Sequence, residues 1–343
     1  MALVVYWYDF ICFGIVGTAL FGALYVLWRR EGAGQCQDKK TMYESLLVGR
    51  PDSEFYAGVS TPRGHVSSSQ LWSSCWRGLH PGYLLGIRFV SFSVLCGFSA
   101  WDILDYDASV FVYYTEWTFT LVIVYFAIGT IVSAYGCFLY YSNKLPSDNG
   151  ERGEFVKRDV EESISTYTVT SKAKGSMGTI KLQSHYDQEA IQERAGFWGY
   201  LMQILYQTCA GAIVLTDIVF WVIIVPFLSI AHLKVNLLMG CLHTLNAVFL
   251  LLDTSVNSLP FPWFRVSYFV LWTCCYVIFQ WVIHAMGFSW WPYPFLELST
   301  PRAPLWYCSL AVMHIPCYGL YSLLVKAKNS IFPILFPHAF VRC

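Results

Sequence analysis

Residues 235–252 read Val-Asn-Leu-Leu-Met-Gly-Cys-Leu-His-Thr-Leu-Asn-Ala-Val-Phe-Leu-Leu-Leu. The stretch is long and apolar enough to cross a bilayer, yet it carries His243 near its middle and Asn246 three residues on. A protonatable ring costs free energy in hydrocarbon unless it faces protein or water. Asn236, Gly240, His243, Ala247 and Thr254 recur at helical spacing, while Leu, Val, Met and Phe fill most of the remaining positions. One side of this helix is therefore expected to face lipid and the other to pack inward around the imidazole.

The composition extends this reading to the whole chain. Of 343 residues, 56% are hydrophobic and only 13% charged, where a soluble domain carries about a quarter. Uncharged runs recur, so an all-α polytopic membrane bundle is predicted, since only helices and closed barrels satisfy their backbones in lipid. A net charge of zero argues against nucleic acid as a partner. The twelve cysteines lie mostly within apolar runs, with no Cys-x-x-Cys pattern, so neither a disulfide framework, a metal site nor a cofactor is expected.

Seven spans are predicted: 4–28, 83–104, 117–140, 197–228, 235–252, 265–286 and 303–325. The first reads as a retained span, 1–30, and the other six as a core, with Pro226 ending or kinking the fourth. Residues 31–80 and 142–196 form two polar loops, the second rich in Ser and Thr, without period, and expected to be largely disordered. Spans two and three fall within 81–141, spans four to seven within 197–326, and 327–343 is a tail. Of the 22 Lys and Arg, only Lys234 and Arg302 belong to the loops of one side, and Arg88 lies inside span two. Positive charge marks the cytosolic side, so the N-terminus is expected in the lumen or outside the cell and the C-terminus in the cytosol. The 142–196 loop is the natural place for cytosolic partners.

This topology sorts the polar residues by depth. Thr118, Asp217, His243 and His284 all fall toward the outer side, with Glu297 and the aromatic run Trp290–Phe295 in the outer loop. The inner ends read as carrying ordinary loop charges. Span three has its own inward face, Thr118, Tyr125, Gly129, Ser133 and Gly136, in which Gly129 and Ser133 form a small-xxx-small pair that lets helices approach. A hydroxyl on this face could meet the imidazole of span five. Thr is a weak nucleophile until a base takes its proton, His is suited to that role, and Asn246 or Asp217 could orient the ring. The plainer alternatives are that Thr118 bonds its own i−4 carbonyl, that Asp217 pairs with His232 or an interfacial group, and that Glu297, Trp290 and Trp291 serve a surface loop.

Met239-Gly240-Cys241-Leu242-His243-Thr244, Trp281-Val282-Ile283-His284 and Trp291-Pro292-Tyr293-Pro294-Phe295-Leu296-Glu297 together resemble the androgen-induced gene family of membrane proteins, which includes the androgen-dependent TFPI-regulating proteins. The likeness covers spans two to seven. It implies a multi-helix bundle and an intramembrane threonine hydrolase that cleaves fatty-acyl esters, with membrane lipids around it and a lipid ester as substrate. The family's His falls on His243. Its Thr lies in a Tyr-x-Thr-Phe context matched here by Glu116-Trp117-Thr118-Phe119, which implies Thr118 as nucleophile, with Thr115 and Thr120 as alternative registers. The chain departs from that family in its additional first span, its long 142–196 loop, and the apolar Val222–Val225 after Phe220-Trp221. It also resembles rolling-stone-like and uncharacterised plant transmembrane proteins, which implies a non-enzymatic scaffold or cell-surface organiser as the alternative.

Overall fold

The computed structural model describes residues 6–32, 68–144, 196–228 and 237–340. Most of the predicted loop 142–196, and much of 31–80, lie outside the described residues. Seven helices are long and apolar enough to cross a membrane. They are α1 (Trp7–Leu27), α2 (Pro81–Tyr106), α3 (Tyr114–Lys144), α4 (Phe197–Ile218), α5 (Leu237–Val256), α6 (Val266–Ala285) and α7 (Ala303–Leu335). The chain is an all-α, multi-pass membrane protein. Successive helices run in opposite directions, so the bundle has two ends. The N-face holds the start of α1, where the Tyr8 hydroxyl donates to the Ser299 carbonyl across 3.1 Å. The C-face holds residues 68–80 and the end of α7, where Arg77 N–H donates to the Ala339 carbonyl.

Local chemistry sets the helix ends. His80 Nδ1 accepts the Gly82 N–H at 3.0 Å and Pro81 opens α2, where a missing N–H costs nothing. Gly287, at a φ of 105° that side chains resist, closes α6. α4 continues as a π-helical segment, Val219–Leu228, containing Pro226, which has no N–H to extend the ladder. α7 runs past the predicted end at Val325 to Leu335 because Lys328 is held inside the protein: its amine donates to the Thr254 and Asn257 carbonyls at 2.9 and 2.8 Å, satisfying the end of α5.

α4 is the axis of the packing. It touches α3 and α5 on one side and α6 and α7 on the other. Two apolar clusters result, one around Phe119, Phe126, Met202 and Tyr206, the other around Phe269, Tyr276, Tyr307 and Tyr318. The first helix, expected to stand apart from a six-helix core, packs on α6 and α7 and contributes Cys12 and Val16 to the second cluster. Its C-face end is tied down by Glu31, whose carboxylate meets Arg265 at 3.2 Å and also accepts from Tyr200 and Tyr268.

The inward face of α3 is used along its length. Arg88 of α2 reaches across to Ser133, whose Oγ accepts from Nη1 at 2.6 Å. A Cβ on Gly129 would stand 3.2 Å from the Arg88 Cδ, so the glycine makes room for that stem. Gly136 is filled by the Trp72 indole, which a Cβ would meet at 2.1 Å. Tyr125 does meet α5, but on a carboxylate: its hydroxyl donates to Asp253 Oδ2 at 2.5 Å.

Candidate functional site

The C-face ends of α2 and α5 do not carry ordinary loop charges, contrary to expectation. Arg88 and Asp253 are both fully buried and paired at 2.8 Å. Asp253 accepts in addition from Tyr125 and from Asn257 Nδ2, and Arg88 donates to the Leu71 carbonyl. A buried pair survives in low dielectric only if its remaining lone pairs and protons are satisfied. Here the carboxylate has three donors from three directions, and one guanidinium nitrogen, Arg88 Nη2, has no partner; the cluster is a lock between α2, α3 and α5.

The other half of the bundle holds a cavity of about 360 Å³ between α1, α4, α6 and α7, reached also by the start of α3 and by α5. Its walls are mostly aliphatic and aromatic, including Val16, Leu215, Ile224 and Val270. A few polar groups break this surface: Tyr114, Thr115, Thr216, His243, Thr273 and His314. Apolar walls with a small number of polar groups are the usual form of a small-molecule pocket, and the volume is at the lower end of the usual range of about 300–1,000 Å³.

His243 enters this cavity from α5. Its ring stacks face to face on Phe220, with centroids 3.7 Å apart and planes 7° from parallel. Its Nδ1 lies 3.8 Å from Asp217 Oδ1, an ion-pair separation too long for a hydrogen bond, and each of these two atoms is buried without a hydrogen-bond partner. The π-helical continuation of α4 positions this group, since it carries Val219, Phe220 and Ile224 past the ring. Irregular turns of this kind are frequent at functional sites. Asn246 is fully buried; its Oδ1 accepts the Ala247 N–H at 2.7 Å, and its Nδ2 has no partner.

Thr118 is fully buried on α3, and its Oγ1 makes no hydrogen bond of ordinary geometry. Its polar neighbour is the Tyr114 hydroxyl one turn earlier. It is absent from the cavity wall, whereas Thr115 and Tyr114 are on it. The structure thus brings His243 and Asp217 together and leaves Thr118 off the cavity wall. Asn246 does not line the cavity.

His284 and Glu297 are held by the N-face loop. His284 places Nδ1 2.7 Å from the Gln280 carbonyl and Nε2 3.0 Å from the Trp290 carbonyl, with Trp291 stacked on its ring at 3.6 Å. Glu297 accepts from the Ser299 hydroxyl. Between them Tyr293 turns into the cavity, where burial pushes its phenol up to about 12, so it remains a donor at neutral pH.

One constellation had no place in the sequence reading. Tyr114 of α3, Thr273 of α6 and His314 of α7 form a continuous hydrogen-bonded row on the cavity wall. The Tyr114 hydroxyl is 2.9 Å from Thr273 Oγ1, and Thr273 Oγ1 is 2.9 Å from His314 Nε2. His314 Nδ1 lies 2.8 Å from the Leu310 carbonyl. The only sequence signal was a histidine in the middle of an otherwise apolar last span.

Comparison with protein-family models, curated proteins and solved structures finds no match to this chain.

Proposed function

We propose that this membrane protein hydrolyses fatty-acyl esters of lipids inside the cavity, with His243 as the general base. The observation that carries the reading is the combination of an apolar cavity, suited to an acyl chain, with an imidazole on its wall backed by a carboxylate at 3.8 Å. Asp217 would stabilise the ring once it has taken a proton, in the manner of a triad's third member. Stacking on Phe220 restrains the ring's tilt. Water is the co-reactant: its proton passes to His243, its oxygen joins the acyl carbon, and the oxygen displaced from that carbon takes a proton returned by the same ring. The resemblance of the sequence to threonine hydrolases would add Thr118 as a covalent nucleophile. For that role the substrate carbonyl would have to reach beyond the cavity wall.

The charge distribution supports a C-face in the cytosol, because Arg29, Arg30, Arg77, Arg265 and Lys326 lie at that end. The test is turnover of a fatty-acyl ester by the purified full chain in lipid nanodiscs. Wild type should release free fatty acid, and His243→Ala should lose about 10²- to 10⁴-fold, the usual worth of a positioned base. Folded wild-type protein that hydrolyses no faster than the empty nanodisc overturns the reading.

A further inference from the structure

The row Tyr114–Thr273–His314 has a fixed direction that follows from proton counting. A carbonyl oxygen can only accept, so the contact with Leu310 requires a proton on His314 Nδ1. In the neutral ring Nε2 is then bare, and at 2.9 Å it accepts from the Thr273 hydroxyl, whose hydrogen has a second, weaker acceptor in the Phe269 carbonyl one turn back at 3.3 Å. That hydroxyl has one hydrogen. Since it is directed at His314, the Tyr114 O–H must be the donor in its own contact with Thr273. The result is a hydroxyl whose proton already points at an unprotonated imidazole nitrogen and whose oxygen receives a second hydrogen bond. The arrangement has the nucleophile, base and orienting group of a hydrolytic triad, with a backbone carbonyl in the third place.

Two further features suit this site to chemistry. Phe269 lies against the His314 ring at 4.4 Å between centroids, and it fits there because Gly211 has no side chain: a Cβ would stand 2.5 Å from the Phe269 ring. The imidazole therefore sits on a packed floor. Thr273 and His314 also line the same cavity as His243, so one bound acyl chain can present its ester to either wall.

We infer that Thr273 is the nucleophile of the proposed hydrolase and His314 its base, with His243 serving the water that releases the product. This rests on the ester-hydrolase reading above. In the first step Thr273 Oγ1 bonds to the ester carbonyl carbon while its proton moves to His314 Nε2. The carbon–oxygen bond to the alcohol then breaks, and that proton leaves with the alcohol. In the second step water attacks the Thr273 acyl ester, His243 accepts the water proton, and the fatty acid departs as Thr273 regains a hydrogen.

The experiment is fluorophosphonate labelling of the purified full chain followed by mass-spectrometric mapping of the adduct. Here the Thr273 oxygen displaces fluoride from phosphorus. The adduct should map to Thr273. Labelling should fall at least about 100-fold in Thr273→Val and His314→Asn, persist in Thr273→Ser, and persist in Thr118→Ala and His243→Ala although the last variant cannot turn over. Thr273→Ser guards against misfolding, because it keeps the hydroxyl and loses only a methyl. An adduct on Thr118, or undiminished labelling of Thr273→Val, overturns the inference and leaves the hydrolase reading standing. Labelling that needs His243 but not His314 also overturns it. Absence of both label and turnover in folded protein removes the hydrolase reading and this inference together.

Discussion

The two ends of α5 answer the problem of buried polarity in opposite ways. At the C-face end, Asp253 is surrounded by Arg88, Tyr125 and Asn257, each within 2.8 Å, and the last carbonyls of the helix are capped by Lys328. Ten residues earlier on the same helix, His243 Nδ1, Asn246 Nδ2 and the facing Asp217 Oδ1 are buried without hydrogen bonds. Buried polar groups in native proteins are nearly always paired, so each exception calls for a reason. A cluster whose carboxylate is fully bonded, with one guanidinium nitrogen, Arg88 Nη2, left without a partner, is spent on holding helices together. An unsaturated one beside a cavity retains the capacity to bind. The contrast separates a structural half of the bundle from the half for which a function is proposed.

The contrast can be broken most severely at Asp253. Asp253→Ala should leave Arg88 buried without its partner and lower stability by about 3–5 kcal/mol, measured as loss of folded protein on denaturant titration in mild detergent. Replacing both members, Arg88→Met with Asp253→Leu, should recover most of that loss. If the single and double variants are equally unstable, the pair is not the lock described here. Gly136→Val comes next: it drives a side chain into Trp72 and should cost about 1–3 kcal/mol, read by the same titration. Tyr125→Phe removes one donor from Asp253 while Asn257 and Arg88 remain, and should cost about 1 kcal/mol. The smallest effect on stability is expected at the other end of the helix. Asn246→Ala deletes an amide whose Nδ2 has no partner and whose Oδ1 bonds only the adjacent Ala247 N–H, so unfolding should shift by less than about 1 kcal/mol. A loss comparable to that of Asp253→Ala would erase the distinction between the two ends.

The sequence revealed the architecture because hydrophobic length is a strong local signal. All seven predicted spans coincide with helices, and the spacing of Thr118, Tyr125, Gly129, Ser133 and Gly136 identified a face that is in fact inward. What that face meets was not legible. Asp253 stands one residue beyond the predicted end of span five, so it read as a loop charge, and nothing local pairs it with Arg88, 165 residues away. His243 was legible because a titratable ring within a lipid-length run is rare enough to notice. Thr273 and His314 were not, because each alone looks like an ordinary membrane-helix residue. Their meaning lies in a 2.9 Å contact between two spans, beside which Phe269 packs into the space at Gly211. The role of α1 was hidden for the same reason, since its contribution is a wall of a cavity that exists only once α6 and α7 are in place.

The most direct test of the proposed function is a paired measurement on purified protein in nanodiscs: fatty-acid release from an acyl ester, alongside the denaturation midpoint, for wild type and His243→Ala. The account predicts that hydrolysis by the variant falls at least about 100-fold while stability drops by no more than about 0.5–1.5 kcal/mol, the worth of the stacking on Phe220, because the Nδ1 it deletes bonds nothing in the fold. Equal hydrolysis by the two proteins, or a collapse of the variant's stability, would contradict it.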